Sequence, residues 1–172
     1  MNHVACSISC AQMVVAEGRA KKAQKEMKAR REALKTRSDW LKEAQAAFNS
    51  FIRKRDEKLP CISCGRFHTG SYDAGHYRSV GAMSFLRFDE ANCHKQCVPC
   101  NQFKSGNILE YRLGLIKKIG QAAVDYLEND HPPLALRIEE IKAIKATYKA
   151  KLRELEAHED DNEKNGHVAL LP

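Results

Sequence analysis

The 172-residue chain contains no apolar run approaching the roughly 18 residues that a membrane-spanning helix requires, so no integral membrane protein is expected. Its first 15 residues lack a basic stretch followed by a long apolar segment, which argues against a secretory signal and for a cytosolic address. No internal repeat is visible. Aromatic residues are sparse at 7%, with a single Trp. With 43% apolar and 30% charged residues, the composition is nevertheless that of a globular chain, neither a disordered tail nor a repeat array. The length fits a single domain with a modest core and one or two flanking elements.

Positive charge is present in excess and is localised. Residues 17–60 hold 14 Lys and Arg against seven Asp and Glu, whereas residues 61–172 hold 15 of each, so the net +7 lies in the first stretch. Such a segment is either a polyanion-binding surface with salt-dependent affinity or a solvated helical face.

Residues 19–35 are rich in Ala, Lys, Arg, Glu and Gln, a helix-forming composition with little apolar stripe. Ser38 reads as an N-cap for an amphipathic helix that buries Trp40, Ala44, Ala47, Phe48 and Phe51 and ends before Pro60. Residues 61–107 turn to Gly, Cys, Ser, Asn and His, and pieces such as Met83–Phe88 suggest short strands and loops. Helical spacing returns with Leu115 or Ile116, Ile119, Ala122, Ala123, Tyr126 and Leu127, and breaks at His131-Pro132-Pro133. Ile141, Ile144, Tyr148, Leu152 and Leu155 mark a last helix. The expected organisation is a basic arm over 1–37, partly helical, a central domain over 38–157 and a flexible tail over 158–172.

Seven cysteines in a reducing compartment do not suggest a disulfide framework. Four of them form Cys61-x2-Cys64 and Cys97-x2-Cys100, two tight turns of the kind that present paired thiolates to one tetrahedral Zn²⁺. Four protein ligands make this a structural ion rather than a catalytic one. Cys93 is expected to be a small buried side chain. Cys6 and Cys10 supply at most half of a second zinc site, unless two subunits share one.

Between and behind the knuckles lie Asp73-Ala74-Gly75-His76-Tyr77, Asn92, Asn101 and Lys104. Phosphodiester hydrolysis needs a base for water, a cation at the phosphate oxygens and a group that aims the base. An imidazole such as His76 titrates near neutral pH. The side-chain oxygen of Asn101 suits a hard ion such as Mg²⁺. Lys104, one helical turn further on, can meet a phosphate. His94 is open to three roles: an adjunct in the site, a phosphate contact or a packed histidine. His68 is taken as structural.

These residues resemble the HNH, or ββα-metal, nucleases that carry a zinc staple. More specifically, Cys-Ile-Ser-Cys-Gly, Asp-Ala-Gly-His-Tyr-Arg, Leu-Arg-Phe, His-Lys-Gln-Cys and Cys-Asn-Gln-x-Lys-Ser-Gly-Asn resemble the NinG family of lambdoid phages, over about residues 37–155. That family includes a recombination endonuclease. The resemblance implies an α+β fold with a small zinc-stapled, HNH-like ββα-metal centre flanked by α-helices, mostly helical overall.

It further implies a metal-dependent, structure-selective DNA endonuclease that cuts branched DNA such as D-loops and four-way junctions during phage recombination in the host cytoplasm. His76 would be the general base and Asn92 would fix its tautomer. Asp73 and Asn101 would hold the catalytic Mg²⁺ or Mn²⁺. HNH enzymes mostly place a ligand directly before the base, and here that position is Gly75, so Asp73 is the nearest carboxylate. Lys104, Arg78, Lys95, Arg30 and Arg31 are the candidate DNA contacts. A homodimer is expected, with the helices at 38–59 and 136–156 either forming its contact or simply covering the centre. Other recombination proteins are further candidate partners. The alternative from another class is a non-catalytic zinc module that binds DNA or a recombination protein.

Overall fold

The structure is a computed structural model that describes residues 7–166, with side chains described as far as Glu159. It divides into two compact units, the first ending at Asp39 and the second starting at Trp40. No helix among the described residues is long and apolar enough to cross a membrane.

The first unit is dominated by helix α1 (Ile8–Ala33), which buries none of its residues. The helix begins 11 residues before the expected Arg19, because the Ser7 hydroxyl caps it by accepting the Cys10 N–H at 3.2 Å. Helix α2 (Arg37–Arg55) follows. Its cap is Thr36 rather than Ser38: the Asp39 N–H donates to the Thr36 hydroxyl at 3.2 Å, and the Thr36 N–H donates to the Asp39 carboxylate at 3.0 Å. This reciprocal pair satisfies two N–H groups and places Ser38 inside the first turn.

From Trp40 on, α2 buries Ala44, Ala47, Phe48, Phe51 and Ile52. Trp40 is only half-buried, with the Lys142 and Lys145 ammoniums 5.0 and 4.9 Å from its ring. Strands β1 (Tyr72–His76) and β2 (Cys93–Cys97) pair antiparallel in an unbroken ladder from Tyr72 opposite Cys97 to His76 opposite Cys93. Met83–Phe88 is not a strand. Ser84–Phe88 forms a 3₁₀ turn that buries Met83 and Leu86, three residues apart, as that helix's period requires.

A π-turn, Pro99–Phe103, leads from the second knuckle towards helix α3 (Ile108–Ile119). The expected single helix beyond it breaks at Gly120 (φ 86°), and α4 (Gln121–Glu128) starts in a new phase, burying Val124 and Leu127 and leaving Tyr126 exposed. Helix α5 (Ile138–Gly166) runs past the residue 158 at which a flexible tail was expected to begin. The Lys54 and Lys58 ammoniums pair with Glu159 on this extension.

Side chains alternate across the sheet, so each strand pair serves two cores. Ala74 and Cys93 face a cluster of Phe48, Phe51, Ile52, Tyr148 and Ile144. On the other side, Tyr77 packs with Leu86, Tyr111, Leu115, Val124 and Leu127. Helix α3 approaches the first knuckle so closely that a Cβ at Gly114 would lie 2.1 Å from the Ile62 carbonyl oxygen.

Candidate metal centre and polar site

The two knuckles converge. The Sγ atoms of Cys61, Cys64, Cys97 and Cys100 all lie within 4.8 Å of one another, and Cys64 and Cys97 are 4.0 Å apart. Four thiolates on a tetrahedral Zn²⁺ with bonds near 2.3 Å would sit about 3.8 Å apart, so the cluster fits such an ion with little adjustment. Cys61, Cys97 and Cys100 are buried, and Cys64 is half-buried. Polar neighbours already face the sulfurs: the Cys97 N–H donates to Cys61 Sγ at 3.4 Å and the Asn107 amide donates to Cys100 Sγ at 3.7 Å. His68 Nε2 lies 3.3 Å from Cys64 Sγ, a supporting position rather than a catalytic one.

Beside this cluster, at the start of β1, the Asp73 carboxylate accepts from the Asn101 amide at 2.8 Å and from the Gln102 amide at 2.9 Å. The two proposed oxygen ligands are therefore adjacent. The amide of Asn101 points its nitrogen at Asp73, which leaves its oxygen uncommitted among the described residues. Gly75 shares this face of the strand. A Cβ there would lie 2.1 Å from the Gln96 side-chain oxygen, because the Gln96 amide crosses the strand to donate to Ser63 Oγ at 2.7 Å and the Gly106 carbonyl at 2.5 Å. No side chain fits at position 75 while Gln96 is in place. Lys104 is exposed two residues beyond Gln102.

His76 is not joined to this pair. The regular ladder has no bulge at Gly75 to redirect it, so its ring lies on the opposite face of β1, 5.8 Å from the Phe48 ring. Its Nε2 is 3.0 Å from the Arg87 carbonyl, which can only accept, so Nε2 carries the proton. Nδ1 is then the lone pair, 3.6 Å from the Cys93 thiol. Burial pushes the His76 imidazole below its ordinary value and keeps it neutral.

Asn92 does not set this tautomer, contrary to the sequence-based expectation. It accepts from the Arg78 N–H at 2.8 Å and donates to the Arg78 and Leu86 carbonyls at 3.0 and 3.1 Å. A fully buried amide is thus used to close the loop between the strands.

One further expectation changes. Lys95 is no DNA contact: it is buried, its ammonium donates to the Glu57 and Leu59 carbonyls at 2.6 and 2.8 Å, and it lies 4.1 Å from the Tyr72 ring. It closes the chain just beyond α2 instead. Arg78 is half-buried with an unpartnered Nε, whereas Arg30 and Arg31 are exposed on α1. Cys93 is a buried thiol, raised well above its usual range by burial. Cys10 is half-buried on α1, and Cys6, its companion in a possible second zinc site, lies outside the described residues.

Sequence reasoning missed a buried ionic network under β2. Asp56, 2% exposed, accepts from Arg55 at 3.0 and 2.8 Å, from Lys118 at 2.9 Å and from the Lys95 N–H at 3.1 Å. Burial opposes its charge, but contacts with His94, Arg55 and Lys118 hold the carboxyl well below the usual carboxylate range. His94 is the packed histidine of the three alternatives. Its Nε2–H donates to the Ala91 carbonyl at 3.1 Å, and Nδ1 lies 2.9 Å from both Arg55 and Lys118. Burial lowers its pKa as well.

Fold and cluster together define a mostly helical protein organised around a two-stranded sheet, with a four-cysteine site suited to a metal such as zinc. Comparison with known proteins is specific. The family model described as Bacteriophage Lambda NinG protein matches residues 3–159, and the chain belongs to that NinG family. Protein ninG of Salmonella phage P22 is 50% identical over 168 residues, covering 87% of this chain and 83% of the relative. Protein ninG of Escherichia phage lambda is 49% identical, covering 87% and 82%. Protein ninG of Escherichia phage 933W is 56% identical over 129 residues, covering 75% and 64%. No solved structure matches.

Proposed function

We propose that this chain is a metal-dependent, structure-selective DNA endonuclease of the HNH type that acts on branched DNA in phage recombination. The observation that carries this reading is the Asp73–Asn101 pair, 2.8 Å apart, with one member on β1 and the other directly behind the second knuckle. Asp73 and Asn101 would hold Mg²⁺ or Mn²⁺, which in such a site neutralises charge at the scissile phosphate. Lys104 adds a fixed positive charge within reach of the same phosphate, and the arm with Arg30 and Arg31 adds diffuse attraction to the backbone.

His76 is the base of this scheme. Asp73 and Gly75 share one face of β1 and His76 lies on the other, so this role requires the end of β1 to turn the His76 ring towards the Asp73–Asn101 side when DNA is bound. A neutral imidazole with the proton on Nε2 has its lone pair at Nδ1, the form a base requires.

The burial of His76 against Phe48 and Cys93 favours a second reading, a zinc module that binds DNA or a recombination protein without cutting it. Zinc-loaded protein incubated with Mg²⁺ and a labelled four-way junction separates the two. Strand scission lost in His76→Ala and Asn101→Ala, with junction binding retained, supports the nuclease. Binding without scission at any divalent ion leaves the module. Equal cutting of a linear duplex would remove the selectivity for branches.

A further inference from the structure

The two knuckles are followed by the same device. Phe67 stands three residues after Cys64 and Phe103 three residues after Cys100, and the two are 68% and 79% exposed. Neither ring sits on a loose loop. The Arg66 carbonyl accepts the Cys61 N–H at 3.0 Å, and the His68 N–H donates to the Tyr72 hydroxyl at 2.6 Å, so the backbone is fixed on both sides of Phe67. On either side of Phe103, the Gln102 amide is held by Asp73, and the Lys104 carbonyl accepts the Asn107 N–H at 2.7 Å. Large apolar rings held on anchored backbone yet open to water have no role in the cores described above.

Resting on the nucleic-acid reading of the same site, we propose that Phe67 and Phe103 are paired stacking platforms for unstacked nucleobases, one behind each knuckle. The sulfurs lie within 4.8 Å of one another. Each Phe is three residues of chain, at most roughly 11 Å, from its cysteine, so both rings fall within reach of one short stretch of strand. Exposed Arg66 and Lys104 adjoin the rings and suit the phosphates that flank a stacked base. Every base has a π-face, so stacking selects for bases freed from a duplex rather than for sequence. Bases at a branch point or in a single strand are free in this way, and those of intact duplex are not. The platforms thus give a physical basis for preferring branched over linear DNA.

The test is fluorescence anisotropy with a labelled single-stranded oligonucleotide, the matching blunt duplex and a four-way junction, without added divalent ion. Phe67→Ala and Phe103→Ala are each expected to weaken single-strand and junction binding by about 5- to 100-fold, with the duplex changed less than about twofold. Phe67→Trp and Phe103→Trp should retain or improve affinity, and zinc content should be unchanged in all four variants. Unchanged affinity in both Ala variants, or an equal loss on the duplex, overturns the platforms while leaving DNA binding intact. A wild-type chain that binds none of the three probes overturns the nucleic-acid reading and the platforms with it. Ala variants that bind DNA normally but lose a protein partner would reassign the rings to protein docking.

Discussion

Replacing Asp56 by Ala tests the buried network most directly. The carboxylate is 2% exposed and is the acceptor for Arg55, Lys118 and the Lys95 N–H. Its loss would leave two cations facing each other under β2 beside the His94 ring, together with an orphaned strand N–H. Removing one partner of a buried ion pair costs roughly 3–5 kcal/mol, because the remaining charge stays desolvated without compensation. Against a total stability of about 5–15 kcal/mol, that is a large fraction. At this size the midpoint of thermal unfolding should drop by about 6–20 °C.

Asp56→Asn should lie between wild type and Ala, since it keeps an acceptor for Lys95. The pH dependence supplies an independent readout. The unfolded carboxyl takes up its proton near pH 4, roughly its ordinary value, and the folded one does so at much lower pH. Its contribution is therefore complete above about pH 4 and is lost progressively as the pH falls further. Wild type and Asp56→Ala should be compared by urea unfolding between neutral pH and pH 3, with bound zinc followed at each pH because protonation of the thiolate ligands releases the ion. Equal midpoints at neutral pH, or parallel acid limbs, would show that the network contributes nothing and refute the reasoning.

Three other outcomes are expected. Cys97→Ser should bind less than one equivalent of zinc and lose the near-ultraviolet signature of a fixed core, as a structural metal site contributes on the order of 10 kcal/mol to folding; a stable, zinc-free variant would contradict the cluster's role. Deleting residues up to Lys35 should weaken DNA binding and flatten its salt slope without shifting the melting temperature, because α1 buries no residue. The folded pKa of His76 is depressed, so the unfolded chain binds protons more readily and stability should fall as the pH drops below about 6.5. In His76→Phe that part of the slope should be reduced, and an identical slope in zinc-saturated samples would assign it to other groups.

The features legible in the sequence were those governed by local spacing. Two residues between cysteines suffice to bring their sulfurs to one point, and Ile141 and Tyr148 recur at helical spacing because one face of α5 is buried. Features set by distant partners were not legible. Lys95 reads as a surface cation until the carbonyls at 57 and 59 are seen folding back onto it. Asp56 meets Lys118 across 62 positions, and no pattern near either residue signals the pairing. Gly75 looked like a missing ligand. Its cause, the Gln96 amide lying across the strand, is visible only once the register is fixed.

The π-turn at Pro99–Phe103 carries a consequence for how the gene can vary. In this wider winding the backbone bonds skip one more residue than in an α-helix, so the direction of each side chain depends on the count from Cys100. Inserting or deleting a single codon between Cys100 and Phe103 would swing Asn101 away from Asp73 or re-aim Phe103, so length changes should be selected against within this turn.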